Sequence, residues 1–228
     1  MKIEELTLYT KKLNAQNVFY SQVLGLEETG VFTGGISFQV GDTLLKFIEK
    51  DTFQPYHFAF NVPADQIPEA LVWLKGRVEI QRDGTNEIVD FPAWNARSIY
   101  FYDADNNILE FIGRKDIKTS ISLPFSGRSF FEISEIGLAT DNFDEKYHIL
   151  LNDLNLNKFG GGKEVFAAFG SDNGLFILID KSRKDWFPTN DKAYAADFKT
   201  IIKLDEKRIE VEYTNQILSF HTPAPTKK

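Results

Sequence analysis

IEELTLYTKKLNAQNVFYSQVLGL, residues 3–26, has a second copy in the chain: ISEIGLATDNFDEKYHILLNDLNL, residues 133–156. The two align without gaps, so that Glu5 falls on Glu135, Leu8 on Leu138, Thr10 on Thr140 and Leu26 on Leu156. Gly25, which closes the first predicted helix, falls on Asn155, and both residue types tolerate the left-handed conformation of a helix C-cap. Self-similarity at fixed spacing signals a duplicated structural unit. The likeness extends outward, because GDTLLKFIEK (41–50) resembles DNGLFILIDK (172–181), HFAFNV (57–62) resembles DFKTII (197–202), and NILEFIG (107–113) resembles QILSFHT (216–222).

Each half divides again. Strand Ile3–Thr10, helix Asn14–Leu24 and strands near 28–32, 36–40 and 43–49 form one β-α-β-β-β pass. Strand Phe58–Val62, helix Ala64–Lys75 and strands near 78–82, 98–102 and 108–113 form a second. After a third pass, the residues between Leu204 and Arg208 are too few for a helix, so the fourth unit is predicted to lack one. Residues 1–115 and 130–228 are therefore read as two related domains, the second degenerate, joined by a polar linker at 116–129.

Composition narrows the classes of function. A 43% hydrophobic content with 21 Phe is ample for a large core, and a net charge of −7 without a basic stripe leaves no footprint for nucleic acid or anionic membrane. No apolar run approaches the ~18 residues of a membrane span, and MKIEELTLYTKK is unlike a secretion signal, which makes the cytoplasm the expected location. The chain has no cysteine, which excludes disulfides, thiolate metal sites and a cysteine nucleophile, and its only imidazoles are His57, His148 and His221.

The opening LYTKKLNAQNVFYSQVLGL, the HFAFNV strand and the closing YFYDADNNILEF resemble the vicinal oxygen chelate superfamily, which includes glyoxalase I, bleomycin-resistance proteins, fosfomycin-resistance transferases and extradiol dioxygenases. The resemblance covers residues 3–114 well and 130–222 more weakly. It implies an α+β fold in which paired βαβββ modules curl into open U-shaped sheets with helices outside. Metal ligands in such proteins lie on the first, fifth and eighth strands, which here gives Glu5, His57 and Glu110.

Alternation along the strands tests that carry-over independently. One set of faces is apolar: Leu6 and Leu8, Phe38 and Val40, Phe58 with Phe60 and Val62, Ile99 and Phe101, Leu109 and Phe111. The other carries Glu5, Thr7 and Tyr9, Ser37 and Gln39, His57 and Asn61, Ser98, Tyr100 and Tyr102, and Glu110, as a wet binding concavity would. Two carboxylates and an imidazole with open positions suit a divalent ion such as Zn, Ni, Mn or Fe. Tyr100 stands where family members carry a substrate-contacting tyrosine, and Glu5 is the candidate base, while Tyr9, Gln39, Lys46, Asn61 and Tyr102 are candidate substrate contacts.

Lys46 occupies the position of a fourth, glutamate ligand of glyoxalase I, and its ammonium would neutralise the carboxylates without any metal. The second-half counterparts Glu135, Asp197 and Ser219 include no imidazole, so no metal is expected there. The GGG at 160–162 reads as a flexible turn. Two functions remain open: a glyoxalase-like enzyme of lyase, isomerase or transferase type that uses the ion to polarise a substrate oxygen, and a metal-free small-molecule binding protein of the bleomycin-resistance type. Extradiol cleavage ranks lower, because a ferrous oxygenase usually takes two imidazoles and one carboxylate. A small molecule is the expected partner, with a second copy of the chain as a candidate dimer partner.

Overall fold

The computed structural model describes residues 1–118 and 123–222, so part of the 116–129 linker and the end of the second half lie outside the described residues. The first unit comprises β1 (Lys2–Thr10), α1 (Leu13–Val18), β2 (Glu27–Phe32), β3 (Gly35–Val40) and β4 (Thr43–Glu49). The second comprises β5 (His57–Asn61), α2 (Ile67–Lys75), β6 (Ile80–Gln81), β7 (Val89–Phe91), β8 (Ala96–Tyr102) and β9 (Ile108–Arg114). The third repeats the first as β10 (Glu132–Thr140), α3 (Phe143–His148), β11 (Lys158–Gly161), β12 (Phe166–Ser171) and β13 (Gly174–Asp180). The fourth has only strands among the described residues: β14 (Phe198–Leu204), β15 (Lys207–Thr214) and β16 (Ile217–His221). Leu204 pairs with Lys207 across a turn whose Asp205 has a φ of 53°, which leaves no chain for a helix.

The repeat persists in detail. Both α1 and α3 widen into a π-helical last turn, Phe19–Val23 and Ile149–Asp153, and both end on a left-handed residue, Gly25 at φ 65° and Asn155 at φ 52°. The N–H groups of Leu26 and Leu156 then donate back to Tyr20 and Leu150. Since Asn tolerates this conformation and Ala does not, Asn155→Ala is expected to cost about 1 kcal/mol in urea denaturation, while Asn155→Gly should be neutral or better. Equal midpoints for the Ala and Gly variants would contradict that account.

The strands form two sheets, and neither belongs to one half of the chain. The first unit pairs with the fourth in the order β16-β15-β14-β1-β4-β3-β2, and the second with the third in the order β11-β12-β13-β10-β5-β9-β8-β6, with β7 also on β8. The joins are the antiparallel pairs β1–β14 and β5–β10. The expected shared cleft of the first, fifth and eighth strands is thereby corrected, since β1 lies in one sheet and β5 and β9 lie in the other.

The apolar faces behave as the alternation predicts. Phe38, Phe58, Phe60, Phe101 and Phe111 are fully buried in one cluster beneath the helices, with Tyr20 against Phe38 and Phe47, Trp73 of α2 against Phe111, and Tyr147 of α3 against Phe169. Burial on this scale is the main favourable term holding the sheets to their helices. A smaller apolar cluster containing Tyr100, Ile177, Ile179 and Trp186 occupies the opposite, concave face of the nine-stranded sheet.

Candidate functional site

His57 opens β5, Glu110 is central in β9 and Glu135 lies on β10, three neighbouring strands of one sheet. Register brings them together: β9 runs parallel beside β5, and Glu135 stands opposite Ala59. One ligand atom from each of the three lies within 4.8 Å of the others, and all three residues are buried. A β-bulge between Ile133 and Glu135 shifts the register immediately before the carboxylate, and the same irregularity occurs between Ile3 and Glu5 in β1. A bulge re-aims the side chain that follows it and is common beside functional sites.

His57 Nδ1 lies 3.3 Å from the carbonyl of Ile108, so a proton on Nδ1 points at that oxygen and the Nε2 lone pair faces Glu110 Oε2 at 3.5 Å. Burial pushes the His57 pKa down to about 4, leaving the imidazole neutral at pH 7. Burial, and then the charge of Glu135, push Glu110 up to about 8, against opposing effects of Ser98, Arg114 and Tyr100. Glu135 is also raised by burial, although Arg114 opposes the shift.

Arg114, the last residue of β9, is fully buried and donates from Nη2 to Glu135 Oε1. Its guanidinium lies 5.5 Å from the ring centres of both Trp94 and Phe159, and Asp172 is 3.6 Å from Nη1. Tyr100 faces Glu110 across the β8–β9 ladder, and burial followed by the charge of Glu110 holds its phenol well above the usual range. A tyrosine so placed binds and donates rather than titrates.

His57, Tyr100, Glu110 and Glu135 form the floor of a cavity of about 320 Å³. Its walls are aromatic and aliphatic, and they include Trp186 and Phe187 from the 181–197 segment that joins β13 to β14. The concavity is drier than the polar alternation implied. His57, Tyr100 and Glu110 are each at most 6% exposed, because that segment lays Trp186 against the imidazole with ring centres 5.0 Å apart.

The predicted site residues divide between the sheets. His57, Glu110 and Tyr100 come together, whereas Tyr102 packs against the cluster of Tyr100 and Trp186 without lining the cavity and donates from its hydroxyl to Asp191. Glu5 does not join them; its carboxylate is 2.7 Å from Lys46 Nζ in the seven-stranded sheet, the metal-free neutralisation that Lys46 makes available. Tyr9, also in that sheet, lies under Lys50, whose Nζ is 4.5 Å from the ring centre, and Gln39 is exposed and donates to the carbonyl of Gly41. Asn61 donates to Glu132 and to the carbonyl of Asp172. His148 and His221 are exposed and pair with Asn152 and Glu210.

Glu135, from the half in which no metal was expected, stands in place of Glu5 as the third candidate ligand beside His57 and Glu110. Its signal was present in the repeat, which makes Glu135 the counterpart of Glu5. The position equivalent to Lys46 is Ile177 in this sheet, so no ammonium competes for the carboxylates from there.

The donor set suits a divalent ion. Two ligands bonded to one ion at about 2.1 Å stand about 3–3.5 Å apart, as Nε2 and Oε2 do here, and Glu135 retains Oε2 after accepting from Arg114.

No protein-family model matches the chain, and no curated protein sequence does. Among solved structures, a Bacillus subtilis protein provisionally named a dioxygenase superposes with a TM-score of 0.65 at 15% identity, covering 99% of this chain and 86% of that one. Lactoylglutathione lyase from Agrobacterium tumefaciens matches with a TM-score of 0.44 at 21% identity over 51% of this chain and 96% of its own. The fosfomycin resistance protein FosX of Listeria monocytogenes, complexed with Mn(II) and sulfate, matches with a TM-score of 0.39 at 26% identity over 48% of this chain and 86% of its own. The likeness to the Bacillus subtilis structure, which runs over almost the whole chain, is one of fold.

Proposed function

We propose that the protein is a small-molecule enzyme of the lyase, isomerase or transferase type, working with a divalent ion held by His57, Glu110 and Glu135. The observation that carries this reading is the convergence of one neutral imidazole and two carboxylates on the floor of a cavity that otherwise offers apolar walls. When bound, such an ion supplies Lewis acidity toward a substrate oxygen and stabilises the oxyanion that develops there.

The chain's own residues prepare the site. The carbonyl of Ile108 fixes the tautomer of His57, Arg114 restrains Glu135 through one oxygen, and Glu110 releases its proton as the site is loaded. Tyr100, beside Glu110, is placed to donate to a substrate oxygen. Trp186 and Phe187 exclude water, which strengthens every charge interaction at the floor. The single imidazole argues against the two-histidine arrangement of ferrous oxygenases.

One observation favours a second reading, metal-free binding of a small molecule: Arg114 already neutralises Glu135. Elemental analysis separates the two. Under the first reading, freshly purified protein carries close to one equivalent of Zn, Ni, Mn or Fe, His57→Ala retains less than about a tenth of it with the fold intact, and added ion raises the melting temperature by linkage. A protein that holds no metal, and that none of the four ions stabilises at saturation, would leave the binding reading.

A further inference from the structure

The cavity walls say what kind of molecule belongs in them. Six aromatic side chains line it, and their rings touch in an almost continuous series: Tyr100 meets Phe187 at 6.0 Å between centres, Phe187 meets Phe91 at 6.0 Å, Phe91 meets Trp94 at 6.2 Å, and Trp94 stacks on Phe166 at 6.3 Å. Trp186 continues the wall on the other side of His57.

Both tryptophans are seated on glycines. A Cβ at Gly137 would stand 2.8 Å from the Trp186 ring, and one at Gly160 would stand 2.8 Å from Trp94 Nε1. Gly137 follows Glu135 by two residues on the same face of β10, and its counterpart in β1 is Thr7. The third unit thus lacks a side chain where Trp186 needs the space. Gly160, within a run that reads as a mere turn, does the same for Trp94.

Charge is scarce above the floor. Apart from Glu110 and Glu135, the lining offers one cation, Lys184, and one anion, Asp185. A phosphonate dianion or a multiply charged peptide conjugate would lose its hydration there without enough partners. A flat ring loses little, because its faces meet other rings.

We propose that this cavity takes a flat, uncharged aromatic ring system whose oxygen donors project from one end toward His57, Glu110 and Glu135. The placing of the oxygen end rests on the ion-site reading above, whereas the fit of the ring rests on the walls alone.

The test uses four probes measured by calorimetry on the full chain: 2-naphthol, its saturated analogue decahydro-2-naphthol, glutathione and methylphosphonate. Naphthol is expected to bind at least about tenfold more tightly than the saturated alcohol, and the two polar probes are not expected to compete with it. Gly137→Thr, which places the β1 counterpart residue against Trp186, should weaken naphthol about tenfold. Phe187→Leu should weaken it about threefold, and Phe187 is 39% exposed, so that variant folds even if the first does not.

Chelator treatment should leave naphthol binding in place. Naphthol binding to a protein that takes up no metal would keep this inference and remove the ion-site reading. Metal uptake without naphthol binding would do the reverse. Equal affinity for the flat and saturated alcohols, displacement by glutathione or methylphosphonate, or unchanged naphthol affinity in folded Phe187→Leu would each overturn the inference.

Discussion

Arg114→Met is expected to destabilise the protein by about 3–5 kcal/mol at pH 7.5, because it leaves the buried Glu135 carboxylate without its cation. Arg114 and Glu135 are each at most 2% exposed, so water cannot replace the lost partner. Burial already raises the Glu135 pKa with Arg114 in place, and removing the guanidinium raises it further. An acid whose folded pKa is raised is most stable protonated, so the variant should recover part of its loss as pH falls toward the unfolded carboxylate value. The double variant Arg114→Met/Glu135→Gln should recover most of it at pH 7.5, since the two residues act as a unit. A free carboxylate should also bind a divalent ion more tightly than in the parent. Denaturant titrations of the three proteins check this, and an Arg114→Met protein within 1 kcal/mol of the parent would show that the pair is not what balances the site.

Arg114 also marks where sequence reading stopped short. The alternation that places Glu110 on the concave face continues through Ile112 to Arg114, yet a strand ended at Gly113 excludes the cation. The repeat pointed to the missing fourth helix and the alternation along the strands to the buried Phe face, because both follow from local pattern. Neither could supply which units share a sheet. An offset between copies is the same whether the first unit pairs with the second or with the fourth, and the choice is made by the strand contacts β1–β14 and β5–β10, whose partners are far apart in sequence. Lys46 beside Glu5 is a feature of the first unit alone, since its counterpart is Ile177, whereas only the pairing of β5 with β10 puts Glu135 beside His57. The Trp186 and Phe187 wall was hidden for another reason. It lies in a connecting segment without periodicity, where only three-dimensional contact gives an aromatic residue meaning.

Stability should fall with pH between about 6.5 and 8 in chelator-treated protein, and Glu110 should be the cause. Its folded pKa of about 8 lies above the ordinary 4.5, so the folded state holds a proton that the unfolded state releases, and stability is lost as pH climbs through this interval. His57 acts oppositely lower down. Its pKa falls from 6.5 to about 4, so the unfolded state binds the extra proton and stability rises with pH across that range. The two effects oppose each other between about 4.5 and 6.5, and above 6.5 Glu110 acts without His57. Glu135, also raised, adds in the same direction as Glu110. The parent should therefore lose about 2 kcal/mol between pH 6.5 and 8 relative to Glu110→Gln, which keeps the shape of the side chain without its titration. Urea denaturation of both proteins across pH 5–9 measures the difference. A saturating divalent ion should reverse the slope, because it binds deprotonated Glu110 and displaces the proton that makes the chelated protein sensitive to alkali. Parallel profiles for parent and variant would mean that Glu110 is already ionised at neutral pH, and the proton release assigned to loading of the site would then have no source.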